Sequence, residues 1–200
     1  MHDLSSNDER RKYFRIRNKL FLSYELYQTE QSESLEDSSN PQKKSTQASP
    51  QITLLRELSE MSDENKRFLK TLSPTQESAR SHVKTMNKRI VDLSRQIIYA
   101  LDIDENSMME VDISGGGLSF ESHGQLNVGQ RLNIELILMP QYFGMALDAE
   151  VVDCSTTEES SIHRTSIEFT EINEADRDAI IGHVFKTQSK MLRDSKENDN

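Results

Sequence analysis

The 200-residue chain contains a single cysteine, Cys154, and no tryptophan. One cysteine cannot form a disulfide within the chain, so a disulfide-stabilised scaffold is excluded and a reducing, cytoplasmic location is expected. No apolar run approaches the ~18 residues that span a membrane, and the N-terminus lacks the apolar core of a signal peptide. Seven glycines and four prolines are too few for a collagen-like or low-complexity chain.

Hydrophobic residues are also scarce, at 34 %, whereas charged residues make up 29 % and the formal net charge is −10. A composition this polar indicates a modest core accompanied by solvated helices or disordered segments. The negative charge disfavours general binding to nucleic acid or anionic membranes, because both would be repelled at long range. We therefore expect neither a nucleic-acid partner nor membrane insertion, although a local basic cluster can still bind a small anion.

Residues that could carry catalysis or hold a metal ion are scattered through the sequence. The histidines do not fall at metal-ligand spacings, and no serine lies in a nucleophile elbow. We therefore predict a protein that is not an enzyme and that has no metal site and no cofactor.

Apolar periodicity divides the chain into segments. A partly alternating pattern predicts a first strand that begins near Phe14. Residues 25–50 are predicted to be a flexible linker, because Ser, Gln, Thr and Glu dominate this segment and cannot offset the entropy of ordering it. Residues 51–101 return to steps of three and four, which predicts two amphipathic helices joined as a hairpin.

Each predicted helix of the hairpin carries an apolar seam about three heptads long. The first seam comprises Leu54, Leu58, Met61, Asn65, Phe68 and Leu72, and the second comprises Val83, Met86, Ile90, Leu93, Ile97 and Ala100. Ser73 is predicted to cap the second helix and Pro74 to open it. One possibility is that the two helices pack on each other or on the barrel and on nothing else. The other is assembly into a dimer or tetramer through residues 51–101, which two apolar stripes favour because they would otherwise stay exposed.

After the hairpin the alternating pattern returns and predicts five more strands, followed by a final helix capped by Asn173. A turn is expected at Gly129, just before a strand. With the first strand this makes six, which predicts a mainly β fold with helices: a small antiparallel barrel split by the hairpin. The predicted boundaries are residues 8–24 and 103–193 for the barrel with its helix, and 194–200 for a disordered tail.

A basic cluster precedes the first strand. Arg10, Arg11 and Arg15 fall in the stretch "ERRKYFR". Guanidinium groups bind phosphates and guanine edges through two parallel hydrogen bonds and stack on purine faces. Taken alone, the cluster is more typical of a solvated surface patch than of a ligand site.

A second motif, "VDISGGGLSF", places three glycines inside a strand-forming segment. Asp112 can accept hydrogen bonds from a guanine edge, and Ser114 can bond a backbone group or a ligand oxygen. Gly115, Gly116 and Gly117 allow either a tight turn between strands or the close approach of a flat ligand. Taken alone, this motif also describes an ordinary turn without a ligand.

Together, "RRKYFR" before a first strand and "DISGGGL" at a later strand–turn–strand resemble the paired signature of the PilZ domain family. Arg11 and Arg15 match its first half, and Asp112, Ser114 and Gly117 match its second. The resemblance implies a six-stranded barrel that binds the bacterial second messenger bis-(3′,5′)-cyclic dimeric guanosine monophosphate (cyclic di-GMP).

In a protein of this kind the arginines would meet phosphates and guanine edges, while the carboxylate and the hydroxyl would hold a guanine from the other side. The resemblance therefore implies a ligand site at Arg10, Arg11, Arg15, Asp112, Ser114, Gly115, Gly116 and Gly117. The N-terminal arginine segment would act as a mobile latch that closes over the nucleotide.

The expected function is that of a second-messenger receptor. Nucleotide binding would change a surface that an unidentified downstream protein recognises, in the control of motility, pili, exopolysaccharide or biofilm. The alternative is an oligomeric scaffold that keeps the barrel but acts through its helical insertion without nucleotide. A barrel that binds single-stranded nucleic acid would need basic and aromatic faces, which this acidic chain with 6 % aromatic residues does not favour.

Overall fold

The computed structural model describes residues 13–27, 48–104, 106–156 and 162–198. The elements in these residues are β1 (Ile16–Leu26), α1 (Pro50–Thr71), α2 (Glu77–Ala100), β2 (Met108–Ser114), β3 (Gly117–Ser122), β4 (Arg131–Leu138), β5 (Phe143–Thr156), β6 (His163–Glu171) and α3 (Glu174–Asn198). The strands close into a barrel in the order β1-β2-β3-β6-β5-β4. This confirms the predicted six-stranded barrel that is interrupted after its first strand by a helical hairpin.

Two compact units share these strands. The first contains the chain up to Leu20, Met109–Gln130 and Asp148 onward, and the second contains Phe21–Met108 and Arg131–Leu147. The glycine motif and α3 belong to the first unit, and the helical hairpin belongs to the second.

In the first unit, β3 pairs with β2 on one side and with β6 on the other, both antiparallel. Alternating residues such as Ile113, Phe120 and Ile167 are buried in the core. The intervening residues Asp112, Ser119 and Ser166 are neighbours across the three strands. Because side chains alternate between the faces of a strand, these polar residues form a row on the opposite face.

The glycine run forms the turn between β2 and β3. Ser114 pairs with Gly117, so Gly115 and Gly116 make a two-residue loop. A Cβ on Gly117 would stand 2.1 Å from the carbonyl oxygen of Ile167 on β6. A side chain at this position is therefore excluded, because β3 approaches the backbone of β6 too closely.

In the second unit, the hairpin packs on β4 through a cluster of buried residues. Ile52 and Leu55 of α1, Ile98 of α2, Ile103 and Ile137 form this cluster. The Ser49 hydroxyl accepts a hydrogen bond from the Ile52 N–H at 3.4 Å, and the Ser49 N–H donates to Glu135 Oε1 at 2.6 Å. The start of α1 is thereby capped and tied to β4.

The predicted start of α2 at Ser73 and Pro74 is wrong, because α2 begins at Glu77 after Gln76. The Ser73 hydroxyl instead bonds the side chains of Thr75 and Gln76 within the connection. Arg80 of α2 reaches back and donates to the carbonyls of Leu69 and Leu72, which satisfies acceptors at the end of α1.

Six of the twelve predicted seam residues are exposed, and only Leu58, Val83 and Ile90 are buried. The large apolar residues among the exposed six are Leu54, Met61, Phe68, Met86 and Leu93. The helices bury instead the neighbouring positions Leu55, Ser59, Ser62, Ser94 and Ile98. Small serines at the contact permit close approach of the two helices, so the packed seam is rotated relative to the most apolar stripe.

Some predicted boundaries shift. β1 continues to Leu26 and α1 starts at Pro50, so the linker is shorter than predicted, and residues 28–47 lie outside the described residues. The predicted disordered tail is wrong up to Asn198, where α3 ends, because Lys, Arg and Met in its last turns favour helix. The Asn173 side chain accepts the Asp176 N–H at 2.8 Å and confirms the predicted cap.

Gly129 has a φ of +84°, which confirms the expected turn before β4. None of the helices within the described residues is both long enough and apolar enough to cross a membrane.

Replacing Gly117 by alanine tests the close approach of β3 to β6. We expect Gly117→Ala to lower the free energy of unfolding by at least about 2 kcal/mol, because the new methyl group overlaps the Ile167 carbonyl. Urea denaturation measures this change. Gly124→Ala is the matched control, since its Cβ would meet no heavy atom within 4 Å, and its effect should stay within about 0.5 kcal/mol. Equal losses of unfolding free energy in the two variants would contradict the close approach of β3 to β6 at Gly117.

His183 of α3 is buried, and its Nε2 lies 2.6 Å from Nδ2 of Asn18 on β1. Burial lowers the pKa of the His183 imidazole, and the positive charge of Lys186 lowers it further. An amide N–H can only donate, so Nε2 accepts and the ring is neutral in this contact.

The buried histidine predicts a loss of stability in mild acid. Because the pKa of His183 is lowered on folding, the unfolded chain binds the proton more readily as the pH falls below about 6.5. The free energy of unfolding should then fall by up to about 1.4 kcal/mol per pH unit. His183→Gln should reduce the difference between urea melts at about pH 7.5 and about pH 5.5. His123→Gln, at an exposed position, should leave that difference unchanged; a reduction there as well would refute the role of His183.

Candidate functional site

The segment before β1 lies against the glycine turn. The Tyr13 ring comes within 3.3 Å of the position that a Cβ would occupy on Gly115, and within 3.1 Å of the corresponding position on Gly116. Ile181 of α3 comes within 2.9 Å of the same position on Gly115. The absence of side chains on these two glycines therefore gives room to the aromatic ring and to α3.

Two arginines surround the Asp112 carboxylate of β2. Arg164 of β6 donates from Nη2 to Asp112 Oδ2. Arg17 of β1 places its Nε 3.7 Å from Oδ1. The Asp112 side chain remains 32 % exposed, and a carboxylate can accept about four hydrogen bonds. Asp112 is thus held in place by Arg164 and still has acceptor capacity on its open side.

Arg15 lies between these two contacts. It is exposed and stands two residues after Tyr13, which touches the turn, and two residues before Arg17, which faces Asp112. The structure therefore brings Arg15, Asp112 and the glycine turn into one region. The predicted site residues Arg10 and Arg11 lie outside the described residues.

Ser114 has a structural contact at the turn. Its side chain is buried, its hydroxyl donates to the Gly117 carbonyl at 3.1 Å, and its Oγ accepts the Gly116 N–H at 3.4 Å. Of the two partners left open by the sequence, a backbone group or a ligand oxygen, the structure shows backbone groups. Ser114 therefore shapes the turn that the other site residues surround.

An apolar cavity of about 150 Å³ opens beside the turn. It is lined by Tyr13, Phe14, Gly115, Ile181, Val184 and Phe185. Phe14 is 55 % exposed and Phe185 is 58 % exposed. Exposed aromatic rings next to a cationic segment provide surfaces on which a purine base can stack while arginines meet its phosphate.

Sequence reasoning missed Tyr13, Arg17 and Arg164 as members of this region. Arg17 shares the alternation of Arg15, which is a local signal that could have included it. Arg164 has no local signal, because it comes near Asp112 only through the pairing of β3 with both β2 and β6. Within the part of the chain that the structure describes, no group of acidic, histidine or cysteine side chains could hold a metal ion.

Comparison with known proteins gives the fold and the family. No curated protein matches the sequence. A Xanthomonas campestris protein, a tetrameric PilZ domain self-assembled through a helical bundle, is 15 % identical with a TM-score of 0.53, and the match covers 91 % of each chain. The likeness shows that the two share a fold.

Two further solved structures contain cyclic di-GMP. Escherichia coli YcgR is 20 % identical over 45 % of this chain and 39 % of its own, with a TM-score of 0.39. Klebsiella pneumoniae MrkH is 21 % identical over 46 % of this chain and 42 % of its own, with a TM-score of 0.33. This chain therefore spans less than half the length of either protein.

The family model of the PilZ domain matches residues 67–186, from the end of α1 into α3. This is more than half of the chain, and it includes the complete "DISGGGL" motif. The chain belongs to the PilZ domain family.

Proposed function

We propose that the protein is a non-enzymatic receptor for cyclic di-GMP. The observation that carries this proposal is the meeting of the two halves of the motif, in which Tyr13 lies on the Gly115–Gly116 turn and Arg17 faces Asp112. The family and the paired motif supply the identity of the ligand. The contacts at the turn supply a reason why residues far apart in sequence act together.

In this proposal the charge of the ligand is met by the arginine segment. Cyclic di-GMP is a dianion, and six basic residues outnumber three acidic ones among the first 24 residues of an otherwise acidic chain. Arg11 and Arg15 bind phosphate oxygens and a guanine edge through paired hydrogen bonds, and Arg10 adds charge or stacks on a base. Binding orders this segment over the nucleotide, which changes the surface offered to a downstream protein.

The guanine is held from the other side by Asp112. Its carboxylate accepts from the guanine N1–H and N2–H₂ groups while Arg164 keeps it oriented. Ser114 contributes by holding the turn through its bonds to Gly116 and Gly117. The carboxylate selects guanine over adenine, because adenine presents no matching pair of donors on that edge.

Titration calorimetry with cyclic di-GMP tests the receptor proposal. We expect Arg15→Ala to weaken binding by about 10- to 100-fold, since it removes a charge-assisted hydrogen bond of about 1.5–3 kcal/mol. Arg131→Ala, which removes an exposed arginine at the start of β4, is the control and should bind like the unmodified protein. If the unmodified protein at tens of micromolar shows no heat of binding, the receptor proposal is wrong.

Nucleotide selectivity tests the role of Asp112. Cyclic di-inosine monophosphate lacks the guanine N2 amino group, and we expect the unmodified protein to bind it about tenfold more weakly than cyclic di-GMP. Asp112→Ala should bind the two nucleotides almost equally, because the acceptor for the amino group is gone. Arg164→Gln should shrink the ratio between the two affinities, because the carboxylate loses its partner. If Asp112→Ala kept the same ratio between the two affinities, the assignment of Asp112 as the acceptor for the guanine amino group would be wrong.

We further propose that the receptor is oligomeric and that residues 51–101 join the subunits. Support comes from the exposed apolar side chains of α1 and α2. The Xanthomonas campestris protein that shares the fold is tetrameric through a helical bundle. If the protein assembles but binds no cyclic nucleotide, the second candidate, an oligomeric scaffold acting through its hairpin, describes it better.

A further inference from the structure

The helical hairpin has two flanks on either side of the seam where α1 meets α2. Heptad positions assign the seam to Leu55, Leu58 and Ser62 on α1 and to Val83, Ile90 and Ser94 on α2, all of which are buried. The seam positions repeat every seven residues along each helix. One flank consists of the residues directly before Leu55 on α1, directly before Ser94 on α2, and every seventh residue from these. The other flank consists of the residues directly after Leu58 on α1, directly after Ile90 on α2, and every seventh residue from these.

One flank is already used. Ile52 of α1 and Ile98 of α2 belong to it, and both are buried in the cluster that contains Ile137 of β4. That both helices present this flank to the same cluster shows that equivalent flank positions of the antiparallel helices lie on one side of the hairpin. The remaining flank positions of both helices therefore share the opposite side.

The opposite side, which we call the open flank, is apolar and exposed. Its large side chains are Leu54, Met61 and Phe68 on α1 and Met86 and Leu93 on α2, with Ala79 and Ala100 at the two remaining heptad positions. The five large residues are between 44 % and 51 % exposed. Leu54 and Leu93 lie at nearly equal distances from the turn, and so do Met61 and Met86. The open flank is thus a continuous stripe across two helices.

The borders of the open flank carry opposite charges on the two helices. Three residues after Leu54 and Met61 stand Glu57 and Glu64 of α1. The equivalent border of α2 carries the cation Arg89, three residues after Met86, and the polar side chain of His82. All four side chains are exposed. A surface with an acidic border on one helix and a basic border on the other is complementary to itself when α1 meets α2.

We propose that the open flank packs against the open flank of a second copy of this chain, with α1 of one copy facing α2 of the other. This inference rests on the proposed oligomer and names the face and the partner. A two-fold axis running along the hairpin brings α1 onto α2 of the second copy at matching levels. Leu54 then meets Leu93, and Met61 meets Met86, each across the two copies.

The charged borders match in the same arrangement. Glu57 of one copy stands at the level of Arg89 in the other, because the two residues lie at nearly equal distances from the turn. Glu64 stands likewise at the level of His82, whose ring N–H can donate a hydrogen bond to a carboxylate. Packing α1 against α1 would instead bring Glu57 and Glu64 near the same residues of the second copy, and like charges at an interface oppose association. The charges at the two borders therefore favour the pairing of α1 with α2 over the pairing of α1 with α1.

Sedimentation velocity of the full chain tests the apolar contact. The unmodified protein should sediment as a dimer or larger assembly at about 50 µM, and Met61→Glu and Leu93→Glu should each weaken association at least about tenfold. Ser81→Glu adds the same charge at an exposed position of α2 that faces away from the open flank, and it should assemble normally. Because Met61 and Leu93 are half exposed, their variants should keep the far-UV circular dichroism spectrum of the unmodified protein, which shows that the subunit still folds.

A charge exchange tests the pairing of the helices. Glu57→Arg and Arg89→Glu should each weaken association, and the double variant E57R/R89E should recover it, because the exchanged charges meet across the interface. Dissociation of Met61→Glu without recovery in the double variant would overturn the pairing of α1 with α2.

The outcomes separate this inference from the functions proposed above. Normal assembly of both Met61→Glu and Leu93→Glu would overturn the open flank as the interface and leave the proposed oligomer standing. A monomeric unmodified protein at about 50 µM would overturn the inference together with the oligomer. Calorimetry with cyclic di-GMP on the same variants reports the receptor proposal independently, since the nucleotide motif lies outside the hairpin.

Discussion

The close approach of β3 to β6 at Gly117 is the constraint on which the candidate site depends. The carbonyl of Ile167 occupies the space where any side chain at residue 117 would stand. This contact fixes the first residue of β3, and the turn that precedes it places Gly115 and Gly116 against Tyr13. Three consecutive glycines thus serve two purposes, one at a strand–strand contact and two beneath an aromatic ring.

The neighbours of Asp112 hold its carboxylate in place. It stands on the face of the sheet that carries Ser119 and Ser166, opposite the buried residues of the same strands. Arg164 holds one carboxylate oxygen, and Arg17 approaches the other at a longer distance. The Arg17 side chain is 71 % exposed, and ion pairs of exposed side chains typically contribute less than about 1 kcal/mol, so its contact adds little to stability. The partly buried contact with Arg164 is the one that orients the carboxylate.

The hairpin distributes its apolar residues between an internal seam, a flank packed on β4 and a flank left open. The packed seam combines Leu55, Leu58, Val83 and Ile90 with the small residues Ser62 and Ser94, whereas the open flank carries leucine, methionine and phenylalanine. A large share of the apolar surface of the hairpin therefore lies outside the contact that holds the two helices together.

Much of the architecture follows from local pattern. Alternation and turn residues predicted all five later strands, and steps of three and four predicted both helices of the hairpin, because these periods come directly from strand and helix geometry. The paired motif also named Arg15, Asp112 and the glycine turn before the structure brought them together. Local capping signals were less reliable, since the Ser73 hydroxyl bonds the side chains of Thr75 and Gln76 within the connection and α2 begins only at Glu77.

The sequence by itself determined the barrel with its helical insertion and the residues of the motif, because residue spacing and residue type indicate each of them. Only the tertiary structure decided that Arg164 would orient Asp112, that Ser114 would bond its own turn, and which stripe of the hairpin would be covered. These depend on strand register across the sheet and on the rotation of one helix against another. Neither quantity has a signature within any short stretch of the chain.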